Sequence, residues 1–196
     1  IEPIRQWQAE YSQVIIRIKE YAQQSAMTES VAMGEADLAI GVRPPRWKGP
    51  VVSLGWEQFV VVLPPDDPLA GSTAPIALAE LSDRDWILYE PSNGLADYVS
   101  AACALAGFRP IEVVLTSQVQ VAVHLASAGL GAALVPSANV PAELAHTTRP
   151  LDPPVTWEIT AFTRSSIPTP AAAFIDLMRK HEWLSRPHDA IVLPGS

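Results

Sequence analysis

Cysteine is almost missing from this chain. Cys103 is the only one in 196 residues, which excludes an internal disulfide and any cysteine-rich zinc site and fits a reducing, cytoplasmic setting. Long apolar runs are missing as well: no stretch is long enough to span a bilayer, and the first residues show no charged leader followed by an apolar core, so no membrane partner or export signal is expected. Runs of Lys or Arg are also missing. The formal net charge is -8, and an acidic chain with no local basic block repels a phosphate backbone, so this piece is not expected to grip nucleic acid itself.

The marks of catalysis are equally scarce. There is no G-x-S-x-G elbow and no Walker loop, and Gly129-Leu130-Gly131 lacks the third glycine of a dinucleotide fingerprint and follows a helix rather than a strand. The histidines, at 124, 146, 181 and 188, show no metal-binding spacing, and Asp66-Asp67-Pro68 reads as a turn. No cofactor, metal or enzymatic activity is expected. What remains is a composition of 48% hydrophobic and 17% charged residues, enough to bury a core in one compact domain or two small lobes. The 19 prolines are scattered at element edges and act as punctuation.

Periodicity predicts an alternation of helices and strands. Ile4, Trp7 and Tyr11 lie at helical spacing and lead to an alternating, strand-like stretch at 14–20. Ser25 is expected to cap a helix through Met33 with Gly34 as its left-handed stop, and Asp37-Leu38-Ala39-Ile40-Gly41 to form a buried strand, giving a parallel β-α-β unit. Further strands are expected at 59–63, 86–89, 113–115, 132–135 and 157–162, with helical turns at 76–81 and helices at 95–106, 119–128 and 168–183. Ser117 is the expected cap of the helix at 119–128. The sum is an α/β fold with mainly parallel sheets.

Ligands collect beyond the carboxyl ends of strands in such sheets, so the segments after strands carry the candidate chemistry. Glu90-Pro91-Ser92-Asn93-Gly94 and Thr116-Ser117-Gln118 bring hydroxyl and amide groups to helix starts, where they either cap the helix or hold an anion beside its free N–H groups. Arg43, Arg46 and Lys48 form the densest positive cluster, which suits a carboxylate or forms a solvated loop.

Several stretches, taken in order, resemble the regulatory domain of LysR-type transcriptional regulators. They are Met33-Gly34-Glu35-Ala36-Asp37-Leu38-Ala39-Ile40-Gly41, then Val60-Val61-Val62-Leu63-Pro64 with Asp67-Pro68-Leu69-Ala70, then Ala106-Gly107-Phe108-Arg109-Pro110, and Ala128-Gly129-Leu130-Gly131-Ala132-Ala133-Leu134-Val135-Pro136. Asp67 stands where the family usually has His. The resemblance implies a type II periplasmic-binding-protein-like fold, with two α/β lobes joined by two crossover strands and an effector between them. Lobe one would be 1–58 with 160–196, and lobe two 59–159. By position, the effector-binding residues would be Gln24, Ser25, Val42, Arg43, Tyr89, Glu90, Asn93, Thr116, Ser117, Pro136 and Ser137.

The family's first strand, and the Ser or Thr turn after it, would precede residue 1. The implied partners are a small organic effector such as a carboxylate and one or more further copies, as homodimer or tetramer, with the helices at 25–33 and 95–106 at the interface. DNA would be met only through an N-terminal helix-turn-helix domain outside this sequence. The alternative is a free-standing solute-binding protein or small enzyme on the same two-lobed fold, since fold does not fix function.

Overall fold

A computed structural model describes residues 2–180 and 183–193. His181 and Glu182, which the expected helix at 168–183 includes, lie outside the described residues, as do residues 1 and 194–196. The chain divides into two compact units, one comprising Ile1–Trp56 with Glu158–Ser185 and the other Glu57–Trp157 with Arg186–Pro194.

The first unit begins with α1 (Glu2–Glu10) and α2 (Gln24–Met33), continues through β1 (Ala39–Val42) into the front half of β2 (Val51–Val62), and takes in the back half of β7 (Val155–Phe162) and α5 (Thr169–Arg179). Trp7 of α1 is buried, stacks on Tyr11 with ring centroids 4.2 Å apart, and meets Phe174 of α5 edge-on at 5.5 Å. A second core joins Val31, Ala39 and Phe162, flanked by Met27, Trp47 and Val51. Gly34 ends α2 at φ +78°, a left-handed position that glycine adopts without a Cβ penalty. Gly49 is required for a different reason: a Cβ there would come within 2.2 Å of the Thr163 carbonyl oxygen.

The second unit holds the back half of β2, then β3 (Asp85–Tyr89), α3 (Leu95–Leu105), β4 (Ile111–Thr116), α4 (Val119–Ser127), β5 (Ala133–Pro136), β6 (Thr148–Pro150), the front half of β7 and the short β8 (Ile191–Val192). Its core is made by fully buried Phe59, Val61, Leu63, Trp86, Ile87, Val123 and Leu134. Ala132 bridges Trp86 in parallel sense immediately before β5 begins, so one short segment touches β3 on one side while β5 pairs with β2.

The sheets are not mainly parallel, contrary to expectation. β1 pairs antiparallel with β7, with Ala39 opposite Phe162, and β2 pairs antiparallel with both β5 and β6. β3 pairs in parallel with β4, and the short β8 with β7. Unbroken apolar runs such as 37–41 and 59–63 suggest burial on both faces, which is common in parallel sheets, yet both runs pair antiparallel here. Long β2 and β7 each run through a unit boundary, and β1, β5 and β6 return against them.

The expected strand at 14–20, and with it the parallel β-α-β unit, does not form. Ile15 is 81% exposed and Ile18 67%; alternation supplies a face, but without a ladder partner the segment stays irregular. The expected turns at 76–81 are a single 3-10 turn, Leu78–Leu81. The sequence reading places 160–196 together in lobe one, whereas 186–193 lies with the second unit: Ile191 and Val192 run beside Val155 and Thr156 of β7.

Candidate functional site

In the first unit, Gln24 opens α2 and its Nε2 donates to the Val42 carbonyl at 2.9 Å, fastening the helix start to the end of β1. Arg43 follows at once. Its Nε donates to Glu158 Oε2 at 2.9 Å, with Arg43 53% exposed and Glu158 20%. Burial alone would raise the Glu158 carboxyl, but hydrogen bonds from Arg43 and Ser53 outweigh it and hold the carboxyl below its ordinary value. Arg43 is therefore already charge-paired on one side, while the outer part of its guanidinium faces water.

Ser25 is not the cap that its position suggested. Gln23 occupies the N-cap of α2 without a side-chain hydrogen bond, and Ser25 sits one residue inside the helix, exposed. Among the described residues its hydroxyl has no protein partner. Gln24, Ser25, Val42 and Arg43 thus gather at one helix start and one strand end.

In the second unit the turns are knotted together by hydrogen bonds. The Glu90 amide donates to the Thr116 carbonyl at 3.0 Å. Asn93 is buried; its Oδ1 accepts from the Leu95 amide at 2.9 Å and its Nδ2 donates to the Ser117 carbonyl at 2.8 Å. Thr116, also buried, accepts the Gln118 amide on its hydroxyl at 3.2 Å. Asn93 and Thr116 are therefore committed to their own turns. The Tyr89 phenol is committed too: it donates to the Leu134 carbonyl at 3.2 Å, and burial pushes its ionisation well up.

Ser117 and Ser137 behave differently. Gln118 rather than Ser117 is the N-cap of α4, again with no side-chain cap, and Ser117 is exposed. Ser137 opens the 3-10 turn Ser137–Asn139 directly after Pro136 ends β5. Neither hydroxyl has a protein partner among the described residues. The free hydroxyls of the candidate set are thus those of Ser25, Ser117 and Ser137, two of them beside helix starts that no side chain caps, where backbone N–H groups remain for a ligand.

Sequence reasoning missed Glu57 and Trp157. Glu57 is half-buried on β2 and accepts the Ala138 amide on Oε1 at 3.2 Å and the Trp157 indole N–H on Oε2 at 2.8 Å. Loss of water raises its carboxyl above the ordinary value, an effect that these two hydrogen bonds only partly offset. The available signal was the one charged residue in a largely apolar strand, which needs a partner when half-buried.

Known proteins agree with the architecture. A family model described as "LysR substrate binding domain" matches residues 2–183. The chain is similar to the HTH-type transcriptional regulator CatR of Pseudomonas putida, 34% identical over 114 residues, which cover 56% of this chain and 38% of that protein. It is similar also to a probable hydrogen peroxide-inducible genes activator of Mycobacterium avium, 35% identical over 88 residues, covering 44% of this chain and 28% of that one. The matches thus span less than half of these regulators' length. Among solved structures, the BenM effector binding domain with its effector benzoate superposes with a TM-score of 0.77 at 21% identity, covering 95% of this chain and 91% of that one, which shows a shared fold. With its family motifs in order and a family match over nearly its whole length, the chain belongs to the LysR substrate binding domain family.

Proposed function

We propose that this chain is the effector-sensing part of a cytoplasmic LysR-type transcription regulator, with no catalytic step of its own. The observation that carries the reading is the division of labour among the strand-end residues. Asn93, Thr116 and Tyr89 hold the turns. Within the first unit Gln24, Ser25, Val42 and Arg43, and within the second Glu90, Ser117, Pro136 and Ser137, are the residues proposed to meet a ligand. Free hydroxyls at uncapped helix starts and an Arg whose outer face is open suit a small organic anion, with a ring carboxylate such as benzoate as the first probe. Both units would carry the type II periplasmic-binding-protein-like lobes, and DNA would be met through a helix-turn-helix domain of the full-length regulator.

The sensor is proposed to work as a dimer or larger assembly. Each unit exposes large apolar side chains, namely Ile15 and Ile18 in the first and Leu105, Ile111, Val113 and Leu115 in the second. Leu105 ends α3, one of the two helices expected at the interface. On β4, Ile111, Val113 and Leu115 leave exposed apolar surface that water disfavours. Ile18→Asp and Leu115→Asp are each expected to shift the sedimentation profile toward monomer, and an unchanged profile in both would refute this interface.

The comparisons lend no support to the alternative of a solute-binding protein or enzyme. The peroxide-responsive relative raises a second question, but here a single thiol, Cys103, is buried, so no disulfide can form within the chain. A thermal-shift screen of carboxylates tests the reading: a ligand at a hundred times its dissociation constant adds about 2.7 kcal/mol. Catalytic turnover of any candidate by the purified protein would overturn it.

A further inference from the structure

We propose that Glu57 is a positioning residue that ties the effector turn after β5 to the returning strand β7. This rests on the effector reading in one respect, that Pro136 and Ser137 contact the ligand. The geometry is independent of it. One carboxylate gathers three segments far apart in the chain, binding the Ala138 amide 81 residues on and the Trp157 indole 100 residues on.

Each end of the tether is held. Phe59 lies two residues beyond Glu57 on the same strand face and pairs in register with Pro136. Its ring meets the Trp157 ring edge-on at 4.8 Å, and the Tyr98 ring of α3 meets the same indole edge-on at 5.1 Å. The indole is thus fixed by two aromatic contacts and one hydrogen bond to a charged acceptor. On the other side, the Ser137–Asn139 turn has no side-chain cap of its own. Its holds are Glu57 on the Ala138 amide and Gln120 Nε2 donating to the Asn139 carbonyl at 2.9 Å. Without Glu57 the turn keeps only the second of these side-chain holds, beside its own Val140 N–H to Ser137 carbonyl bond at 3.2 Å.

The placement in the chain gives the tether its role. Residues 57 and 157 are the points where β2 enters and β7 leaves the second unit. A ligand that shifts the Pro136–Ser137 backbone therefore pulls, through one carboxylate, on both strands at their crossing points. Glu57 need not touch the ligand to do so.

The test uses the whole chain without ligand, so that failure of the tether is distinguishable from failure of the effector assignment. Glu57→Gln keeps the shape and one acceptor oxygen for two donors; Glu57→Leu keeps none. Amide exchange at Ala138 is expected to quicken about fivefold in Glu57→Gln and more in Glu57→Leu, while Leu134 and Val135 keep their protection. The Trp157 indole N–H resonance, assigned with Trp157→Phe, should move as its charged acceptor is lost. Unchanged exchange at Ala138 with an unmoved indole resonance would overturn the proposal, as would a loss of protection spread evenly over β5. If Glu57→Leu does not fold, Glu57→Gln alone decides.

Discussion

Replacing Arg43 and its partner Glu158 separately should move ligand affinity in opposite directions. The pair is close, 2.9 Å, but Arg43 is 53% exposed, so screening limits its contribution to folding to below about 1 kcal/mol. An anion bound to the outer donors of the same guanidinium would lose a charged hydrogen bond in Arg43→Ala, about 1.5 to 3 kcal/mol, or roughly 10- to 150-fold in dissociation constant. Glu158→Gln leaves Arg43 in place while removing both its competitor and a like charge facing the ligand. Binding should then tighten several-fold, about 1 kcal/mol. The assay is calorimetry with whichever carboxylate, benzoate first, raises the melting temperature of the unmodified chain, with urea midpoints to confirm that neither variant loses more than about 1 kcal/mol. If no carboxylate in the panel raises that temperature, if Arg43→Ala binds as tightly as the unmodified chain, or if Glu158→Gln weakens binding, the reasoning fails.

Three other outcomes follow from the geometry. Asp67, with its side chain 4% exposed, accepts the Leu69 amide at 2.8 Å and Arg84 Nε at 2.7 Å; Asp67→Asn keeps the first bond and should cost about 1 kcal/mol, against about 2 to 3 kcal/mol for Asp67→Ala, and equal urea midpoints for the two would contradict this. Burial pushes the Cys103 thiol up to about 12, so iodoacetamide at neutral pH should leave the native thiol unmodified yet label it fully in urea, and peroxide treatment of the folded chain should leave Cys103 itself unoxidised. Native Glu57 holds its proton to higher pH than an ordinary glutamate at 4.5, so its contribution to stability is whole below that value and is lost as pH rises through the native one. The stability of the unmodified chain relative to Glu57→Gln should therefore decline as pH rises above the ordinary value of 4.5, and a rising difference would be wrong in sign.

The elements were legible where burial and spacing agree. The stripe Leu95, Tyr98, Val99, Ala102 marked α3 to within a residue, and Gly34, Gly107 and Gly129 all take positive φ at helix ends. Strand direction was not legible, because an apolar run such as 59–63 looks the same whether its neighbours run with it or against it. The alternation at 14–20 misled for a related reason: pattern reports which faces a strand would have, and pairing decides whether one exists. β6, three residues long, and β8, two, are too short to carry a periodic signal.

The candidate site was legible as a set of places and not as a set of roles. Ser, Thr and Asn after a strand can each serve either the turn or a ligand, and the choice depends on neighbours that sequence spacing does not reveal. Asn93 reaches the Ser117 carbonyl, 24 residues away, and is thereby spent on the fold, while Ser117 itself, one residue short of the true N-cap, is left free. Ser25, two residues past the true N-cap Gln23, is left free as well. A helix start that begins a residue or two away from its expected cap thus leaves a serine without a structural hydrogen bond, and Ser25 and Ser117, displaced in this way, are among the serines proposed for the effector.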